Sequence, residues 1–188
     1  LRCVLYSKRI RSMSTPQTCA GFATAAPSRV TTLHDSQIIG CCVSMIRLDN
    51  KRVVVFAEGC FGPVSSKVAT SYLRYRHADC VAVIDSRLAG GDVGDVLGYG
   101  QGIPLVPSLE FALSFQPDTL LIGVGLFSNE LPSAWRTQIA LALARGLDVV
   151  SGLHFRIASD PEFSALAART GARIWDTKEP PAQLRTNV

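Results

Sequence analysis

The sequence predicts an α/β fold in which a parallel, doubly wound sheet of about six strands carries helices on both faces. Three observations predict this fold. Unbroken apolar runs at residues 53–57 and 80–84 are typical of strands buried on both faces of a parallel sheet, and residues 119–124 contain a further strand segment. Segments with helical spacing or helix-capping residues separate the runs. Glycine, serine and acidic residues follow them directly, as loops at strand ends require.

The first strand and the loop after it open this alternation. Residues 53–57 are Val-Val-Val-Phe-Ala and lead into a loop that contains Gly59 and Gly62. Glycines in such a loop let the backbone turn tightly and approach a ligand closely. A helix is predicted to begin near Pro63 and to cover residues 64–75, so that its unpaired N–H groups face the loop. Its apolar face is expected to consist of Val68, Tyr72 and Tyr75.

The next two strands follow in the same order. The second strand is predicted at residues 80–84, and residues 86–95 after it are expected to form a polar loop. Residues 103–106 are predicted to form a short third strand. Ser108 is a typical N-cap residue, and the helix that it opens is expected to extend to Phe115.

The second half of the chain repeats the pattern. Further strands are predicted at residues 119–124, 148–150 and 173–175. A helix is expected from Pro132 to the C′ glycine Gly146, and a last helix from residue 160 to a stop at Gly171. Parallel strands joined in this way need right-handed crossovers, which place helices on both faces of the sheet. The alternation therefore predicts one Rossmann-like domain over residues 50–177.

Small and polar residues cluster where the predicted strands end. In a doubly wound sheet the ligand binds beyond the carboxyl ends of the strands, near the point where the strand order reverses. We therefore predict a binding face at this edge of the sheet. Its candidate cofactor-binding residues are Gly59, Gly62, Lys67, Asp85, Ser86, Gly123, Gly125, Ser151 and Gly152.

The glycine loop matches neither standard phosphate-binding motif. The dinucleotide fingerprint needs three glycines, and only Gly59 and Gly62 are present. Lys67 lacks the glycine that precedes the lysine of a Walker loop, and a solvated lysine is the alternative to a phosphate contact. Asp85 stands where an acid would bind a ribose 2′-hydroxyl group. Its alternative is a strand-end aspartate that caps a loop or a helix.

His154 and Glu58 are the predicted catalytic residues. Imidazole titrates near neutral pH, and His154 lies in the loop after the fifth strand. The structural alternatives are a hydrogen-bonded loop histidine and a glutamate that accepts from a loop N–H group. No Cys/His spacing predicts a metal site, and the six cysteines are expected to be reduced thiols.

The net charge of +4 belongs to the first 49 residues. They carry six Lys and Arg residues against Asp35 and Asp49, which leaves thirteen residues of each sign elsewhere. Since phosphate contacts need a basic face, the neutral remainder argues against nucleic-acid binding. Residues 1–49 are expected to be a disordered leader or an organelle transit segment, which places the protein in the cytoplasm or an organellar matrix. Residues 38–46 are predicted to add an edge strand.

No apolar run approaches the roughly 18 residues that a membrane-spanning helix needs, so no such span is expected.

Several blocks of sequence resemble one known family. Residues 57–62 with Lys67, residues 83–90 and residues 146–154 are similar to the N-terminal domain of the D-glutamate N-acetyltransferase-like family, which has also been described as an NAD-dependent epimerase/dehydratase.

This resemblance implies a two-domain protein that transfers an acetyl group from acetyl-CoA to the amine of D-glutamate. Residues 178–188 would then be a linker to a P-loop-like domain outside this chain, and the chain would be a fragment whose partners are that domain, a small-molecule substrate and a second copy of itself. The alternative hypotheses are an NAD-binding oxidoreductase or epimerase fragment and a non-catalytic nucleotide-binding module.

Overall fold

The computed structural model describes residue 48, residues 50–126 and residues 130–178, all within the unit Ser44–Val188. The predicted leader, residues 1–49, lies outside these ranges except for residue 48. The predicted edge strand at residues 38–46 and all but the first residue of the predicted linker also lie outside them.

Six parallel strands form the sheet that the structure describes. They are β1 (Val53–Phe56), β2 (Cys80–Ile84), β3 (Leu105–Val106), β4 (Thr119–Ile122), β5 (Asp148–Ser151) and β6 (Ile174–Asp176). Their order in the sheet is β3-β2-β1-β4-β5-β6, and each neighbouring pair is parallel. The predicted α/β fold is confirmed, with strand ends that differ from the predicted ones by two residues at most.

The helices that connect these strands are α1 (Lys67–Arg76), α2 (Val93–Leu97), α3 (Leu109–Ala112), α4 (Ser133–Ala144) and α5 (Pro161–Thr170). The prediction of a polar loop over residues 86–95 is wrong at its end, because α2 begins at Val93. The Asp92 side chain caps this helix by accepting from the Gly94 N–H group at 2.7 Å. None of the described helices has the length and apolar character needed to cross a membrane.

The predicted start and buried face of α1 are also wrong. The helix begins at Lys67 rather than near Pro63, because the buried Ser66 hydroxyl group closes a turn with the backbone of Gly62 just before it. Its buried residues are Ala69 and Leu73, whereas Val68 and Tyr75 are 44% and 78% exposed. Of the three apolar residues predicted to form the inner face, only Tyr72 packs against the core, and it is half-buried.

The core lies on both faces of the sheet. All four residues of β1 and all four of β4 are buried. Phe56 packs edge-to-face against Trp135 of α4, with ring centroids 5.3 Å apart. On that same side, Arg136 of α4 forms ion pairs with Asp160 and Glu162 at the start of α5. These contacts hold α4 against the sheet and α5 against α4 on this face.

A buried carboxylate joins the amino ends of β5 and β6. Asp148 accepts from the backbone N–H group of Arg173 at 2.9 Å and pairs with the Arg173 guanidinium group at 3.0 Å. The Lys51 ammonium group lies 3.4 Å from the same carboxylate. Burial alone would raise the pKa of Asp148, but the hydrogen bonds from Arg173 and the charges of Arg173 and Lys51 lower it below the ordinary value of 3.8.

This lowered pKa predicts a loss of stability in acid. A carboxyl group whose pKa is lower in the folded state stabilises the fold above its unfolded pKa, and this contribution disappears as the pH falls through the folded pKa. The urea midpoint should therefore fall below about pH 4, and Asp148→Asn should lower it at pH 7 while flattening its dependence on acid. Asp95→Asn, an exposed change on α2, is the control. An Asp148→Asn variant with the wild-type acid profile would contradict the prediction.

The hydroxyl group of Tyr72 should destabilise the fold. Among the described residues it is buried without a hydrogen-bond partner, and burial raises the pKa of Tyr72. Tyr72→Phe removes this polar group, so the free energy of unfolding in urea should rise by about 1 kcal/mol. Tyr99→Phe, which loses the bond from its hydroxyl group to the Thr70 carbonyl group, should instead lower it by a similar amount. A lower stability for Tyr72→Phe would show that the hydroxyl group is satisfied.

Candidate functional site

The strand order reverses between β1 and β4, which makes the carboxyl ends of these strands the expected ligand site. A cavity of about 180 Å³ opens at this edge, beneath the first turns of α4. Its lining residues come from the ends of β1 and β2, the loop after β3, and α4: Phe56, Glu58, Ile84, Pro107, Ala134, Trp135 and Gln138. Binding sites for drug-sized ligands occupy about 300–1,000 Å³, so this cavity suits a smaller group.

The cavity is mostly apolar, with Glu58 as its charged residue. The carboxylate of Glu58 accepts from the Ser86 N–H group at 3.0 Å and from the Ser86 hydroxyl group. These bonds tie the loop after β1 to the loop after β2. The structural alternative for Glu58, a partner for a loop N–H group, is therefore present in the structure, and its catalytic role stays a prediction.

Asp85 fixes the glycine loop after β1 by a hydrogen bond. Its carboxylate has no exposed surface and accepts from the Phe61 N–H group at 2.8 Å and the Arg87 N–H group at 3.0 Å. The Arg87 guanidinium group lies 3.7 Å away. A ribose hydroxyl group would have to displace one of these backbone partners. The ribose role stays a prediction, whereas the loop-capping role is observed.

The predicted glycines differ in what they contribute. Gly59 has a φ of +69°, a conformation that favours glycine, and it lets the loop turn after β1. A Cβ atom at Gly62 or Gly152 would meet its nearest neighbour at an ordinary distance, and one at Gly125 would meet none. These three positions thus have room for a side chain, and their ligand roles stay predictions.

Gly123 is required by packing. A Cβ atom there would lie 2.6 Å from the Cβ atom of Ala69 and 2.8 Å from Cγ1 of Val55. The Gly123 carbonyl group accepts from the Ala69 N–H group at 3.1 Å, and its own N–H group donates to the Phe56 carbonyl group at 2.8 Å. The missing side chain therefore lets α1 approach the end of β4 backbone to backbone.

Lys67 does not line the cavity. It is the first residue of α1, its side chain is exposed, and it borders a separate groove between α1 and the segment around Tyr99. The alternative of a solvated lysine is therefore what the structure shows, and the role of Lys67 in binding a cofactor stays a prediction.

The residues after β5 form a second group at the same edge. The Ser151 hydroxyl group is buried and accepts from the Leu153 N–H group at 3.1 Å. His154 is exposed, and its Nε2 atom lies 3.2 Å from the Lys178 ammonium group. Neither these residues nor Gly152 line the cavity, since β5 lies two strand spacings, about 10 Å, from β1. The structure thus brings Glu58, Asp85 and Ser86 together and leaves His154 apart.

Of the seven residues that line the cavity, sequence reasoning identified only Glu58 as a site residue and missed the other six, among them Pro107, Trp135 and Gln138. Trp135 also packs against Phe56 in the core. The available signal was its position in the first helix after the reversal of strand order, where ligands of such sheets bind. Among the described residues, no group of three or more His, Cys, Asp or Glu side chains is placed to hold a metal ion.

Adding a side chain at Gly123 should lower the stability of the fold. Gly123→Ala forces α1 away from β4, so the free energy of unfolding in urea should fall by roughly 1–3 kcal/mol. Gly125→Ala is the matched control, because its new methyl group meets no atom within 4 Å, and it should change stability by less than about 0.5 kcal/mol. Equal stabilities for the two variants would contradict the close approach of α1.

Comparisons with known proteins agree with this geometry. The chain is 33% identical over 87 residues to a D-glutamate N-acetyltransferase of Tritonibacter scottomollicae, a match that covers 46% of this chain and 26% of that enzyme. It also resembles the crystal structure of a DUF1611 family protein from Anabaena variabilis ATCC 29413, with a TM-score of 0.66 and 33% identity. That match covers 71% of this chain and 38% of the other, so the chain spans well under half the length of either relative.

The match to a protein family is more direct. Residues 86–180, just over half of the chain, match DUF1611_N, which is described as a Rossmann-like domain of unknown function. The second half of the sheet, the residues after β5 and Ser86 lie within this range. The resemblance noted in the sequence is confirmed: the chain belongs to the DUF1611_N family of Rossmann-like domains.

Proposed function

We propose that this chain forms the substrate-binding, Rossmann-like part of an acetyl-CoA-dependent N-acetyltransferase that acts on the amine of a D-amino acid such as D-glutamate. The observation that carries the proposal is the 33% identity to a D-glutamate N-acetyltransferase, within a chain whose strand-end cavity contains one carboxylate. A cavity of about 180 Å³ suits an amino acid better than a dinucleotide.

The proposed reaction sets clear demands on the site. A neutral amine attacks the thioester carbonyl carbon, a C–N bond forms, and the C–S bond breaks as coenzyme A leaves. The amine must first lose a proton to a base, and the oxygen of the tetrahedral intermediate needs hydrogen-bond donors. The nitrogen loses a second proton as the intermediate collapses, so that one of the two protons reaches the departing thiolate and the other is released to solvent. The chain must therefore supply an amine anchor, and the complete protein a base and an oxyanion site.

Glu58 is the residue best placed to hold the amine. Its carboxylate lines the cavity, and the bonds from Ser86 fix its orientation. A substrate ammonium group that enters the cavity would pair with this charge in an apolar setting, where the attraction is stronger than in water. His154 is the alternative base, and its separation from the cavity means that it would serve a substrate that extends toward β5.

Two observations favour acetyl-CoA over NAD in this proposal. The oxygens of Asp85 are occupied by backbone N–H groups, so the acid that would bind a ribose is already satisfied. The glycine loop itself contains two of the three glycines of the dinucleotide fingerprint. The relatives are much longer than this chain, and we propose that a P-loop-like domain completes the active site in the whole protein.

Ligand-induced stabilisation of the purified chain tests the proposal. D-Glutamate at about 100 times its Kd should add about 2.7 kcal/mol to the free energy of unfolding, which raises Tm by several degrees. L-Glutamate should give a smaller shift, and acetyl-CoA a shift of its own. Glu58→Gln should abolish the D-glutamate shift by removing the anchoring charge.

Asp95→Asn removes one carboxylate charge from the exposed side of α2, away from the cavity, and should keep the full shift. Two outcomes would contradict the proposal: stabilisation by NADH alone, or a D-glutamate shift that Glu58→Gln and Asp95→Asn leave equally unchanged.

A further inference from the structure

A second recess lies on the outer side of α1. It is an open groove of about 360 Å³ between α1 and the segment that follows α2. The residues that matter here are Lys67, Thr70, Ser71, Arg74 and Tyr75 of α1 and Tyr99 across the groove. We refer to it as the α1 groove.

The α1 groove and the strand-end cavity lie on opposite faces of the sheet. Successive residues of a strand point to opposite faces. Val55 and Ala69 of α1 both border the space beside Gly123, which places α1 on the Val55 face. The next residue, Phe56, contacts Trp135 of α4 on the other face. No residue lines both recesses.

The groove carries positive charge that no acid balances. From Gly59 to Ala78 the sequence contains no acidic residue. The first one, Asp79, pairs with Arg76 at 2.6 Å, and Asp92 uses its oxygens to accept from the Gly94 and Gly102 N–H groups. None of the ion pairs among the described residues involves Lys67 or Arg74. Residues 50–188 carry thirteen charges of each sign when these cations are included, so the imbalance is local to the groove.

The spacing of the two cations suits a ligand with more than one anionic group. Lys67, Ser71 and Arg74 stand at positions i, i+4 and i+7, which share one face of a helix. Seven residues correspond to about 10.5 Å along the helix axis. Two cations spread along the helix in this way can contact separate phosphates of one ligand, so a chain of phosphates attached to a larger group uses both of them more fully than a single phosphate ion does.

Aromatic rings hold one of these cations and offer a stacking surface. The Arg74 guanidinium group lies 5.7 Å from the ring centroid of Tyr99. The Tyr99 hydroxyl group donates to the Thr70 carbonyl group at 3.2 Å, which fixes that ring. Tyr75 at the end of α1 is largely exposed and borders the same groove. A planar guanidinium group presents a fork of donors that matches phosphate oxygens.

We propose that the α1 groove binds a nucleoside polyphosphate, with Lys67 and Arg74 on its phosphate groups and an exposed tyrosine ring against its base. Ser71 lies between the two cations and supplies a hydroxyl donor. This site goes beyond the proposed acetyltransfer function, because it lies across the sheet from the cavity.

Calorimetric titration of the full chain with ADP tests the proposal. ADP should bind, and binding should weaken at higher salt because the contacts are ionic. Adenosine and inorganic phosphate should each bind at least about tenfold more weakly than ADP, since each supplies only part of the ligand. Lys67→Gln and Arg74→Gln should each weaken ADP binding by roughly tenfold.

Arg169→Gln is the matched control, since it removes one exposed positive charge from α5. It should change the affinity for ADP less than twofold, because a positive charge outside the groove does not contact the ligand. Circular dichroism verifies that every variant is folded. No ADP binding, or equal losses in Arg169→Gln and the groove variants, would overturn the proposal.

The two proposals fail separately. Glu58→Gln should leave ADP binding unchanged, and Lys67→Gln should leave the D-glutamate shift unchanged. If Glu58→Gln abolished ADP binding, ADP would be binding in the cavity, and the groove would lose its role.

Discussion

The buried carboxylate of Asp85 is the interaction on which the candidate site depends. A charge without exposed surface is costly unless hydrogen bonds compensate it, and the N–H groups of Phe61 and Arg87 supply them. The same bonds fix the loop after β1 and the first turn after β2. Glu58 and Ser86 stand within these two segments, so their mutual contact follows from the position of Asp85. The charged residue of the strand-end cavity is thus placed by a second carboxylate that has no exposed surface.

The carboxyl edge of the sheet is divided rather than continuous. Glu58, Asp85 and Ser86 occupy the side near β1 and β2, where α4 closes the cavity with Trp135. The residues after β5 are engaged with the segment after β6, as the Thr177 N–H group donates to the Ser151 carbonyl group at 2.8 Å. The amino-acid substrate proposed above would occupy one side only. The proposed acetyl donor, which has a nucleotide part, would therefore need surfaces beyond the cavity.

The sequence predicts the sheet well because its strands are buried on both faces and are therefore continuously apolar, as in β1 and β4. It also predicts α5, whose Asp160 cap and Gly171 stop are local signals. The start and packing face of α1 depend instead on the turn that Ser66 closes and on the space beside Gly123, which are tertiary features. The five residues of α2 are too few to show a period. The sequence could not predict the cavity for the same reason, because Trp135 contacts Phe56 only in the folded protein.

The missing side chain at Gly123 also determines which surface of α1 is free to change. With α1 so close to the sheet, Ala69 and Leu73 are its fully buried residues, and Tyr72 packs against the core beside them. Lys67, Arg74 and Tyr75 are exposed on the outer side of the helix. Over evolutionary time, such exposed positions can acquire or lose charged and aromatic residues at little cost to folding. The close approach at Gly123 therefore leaves the domain a surface on which new binding properties arise easily.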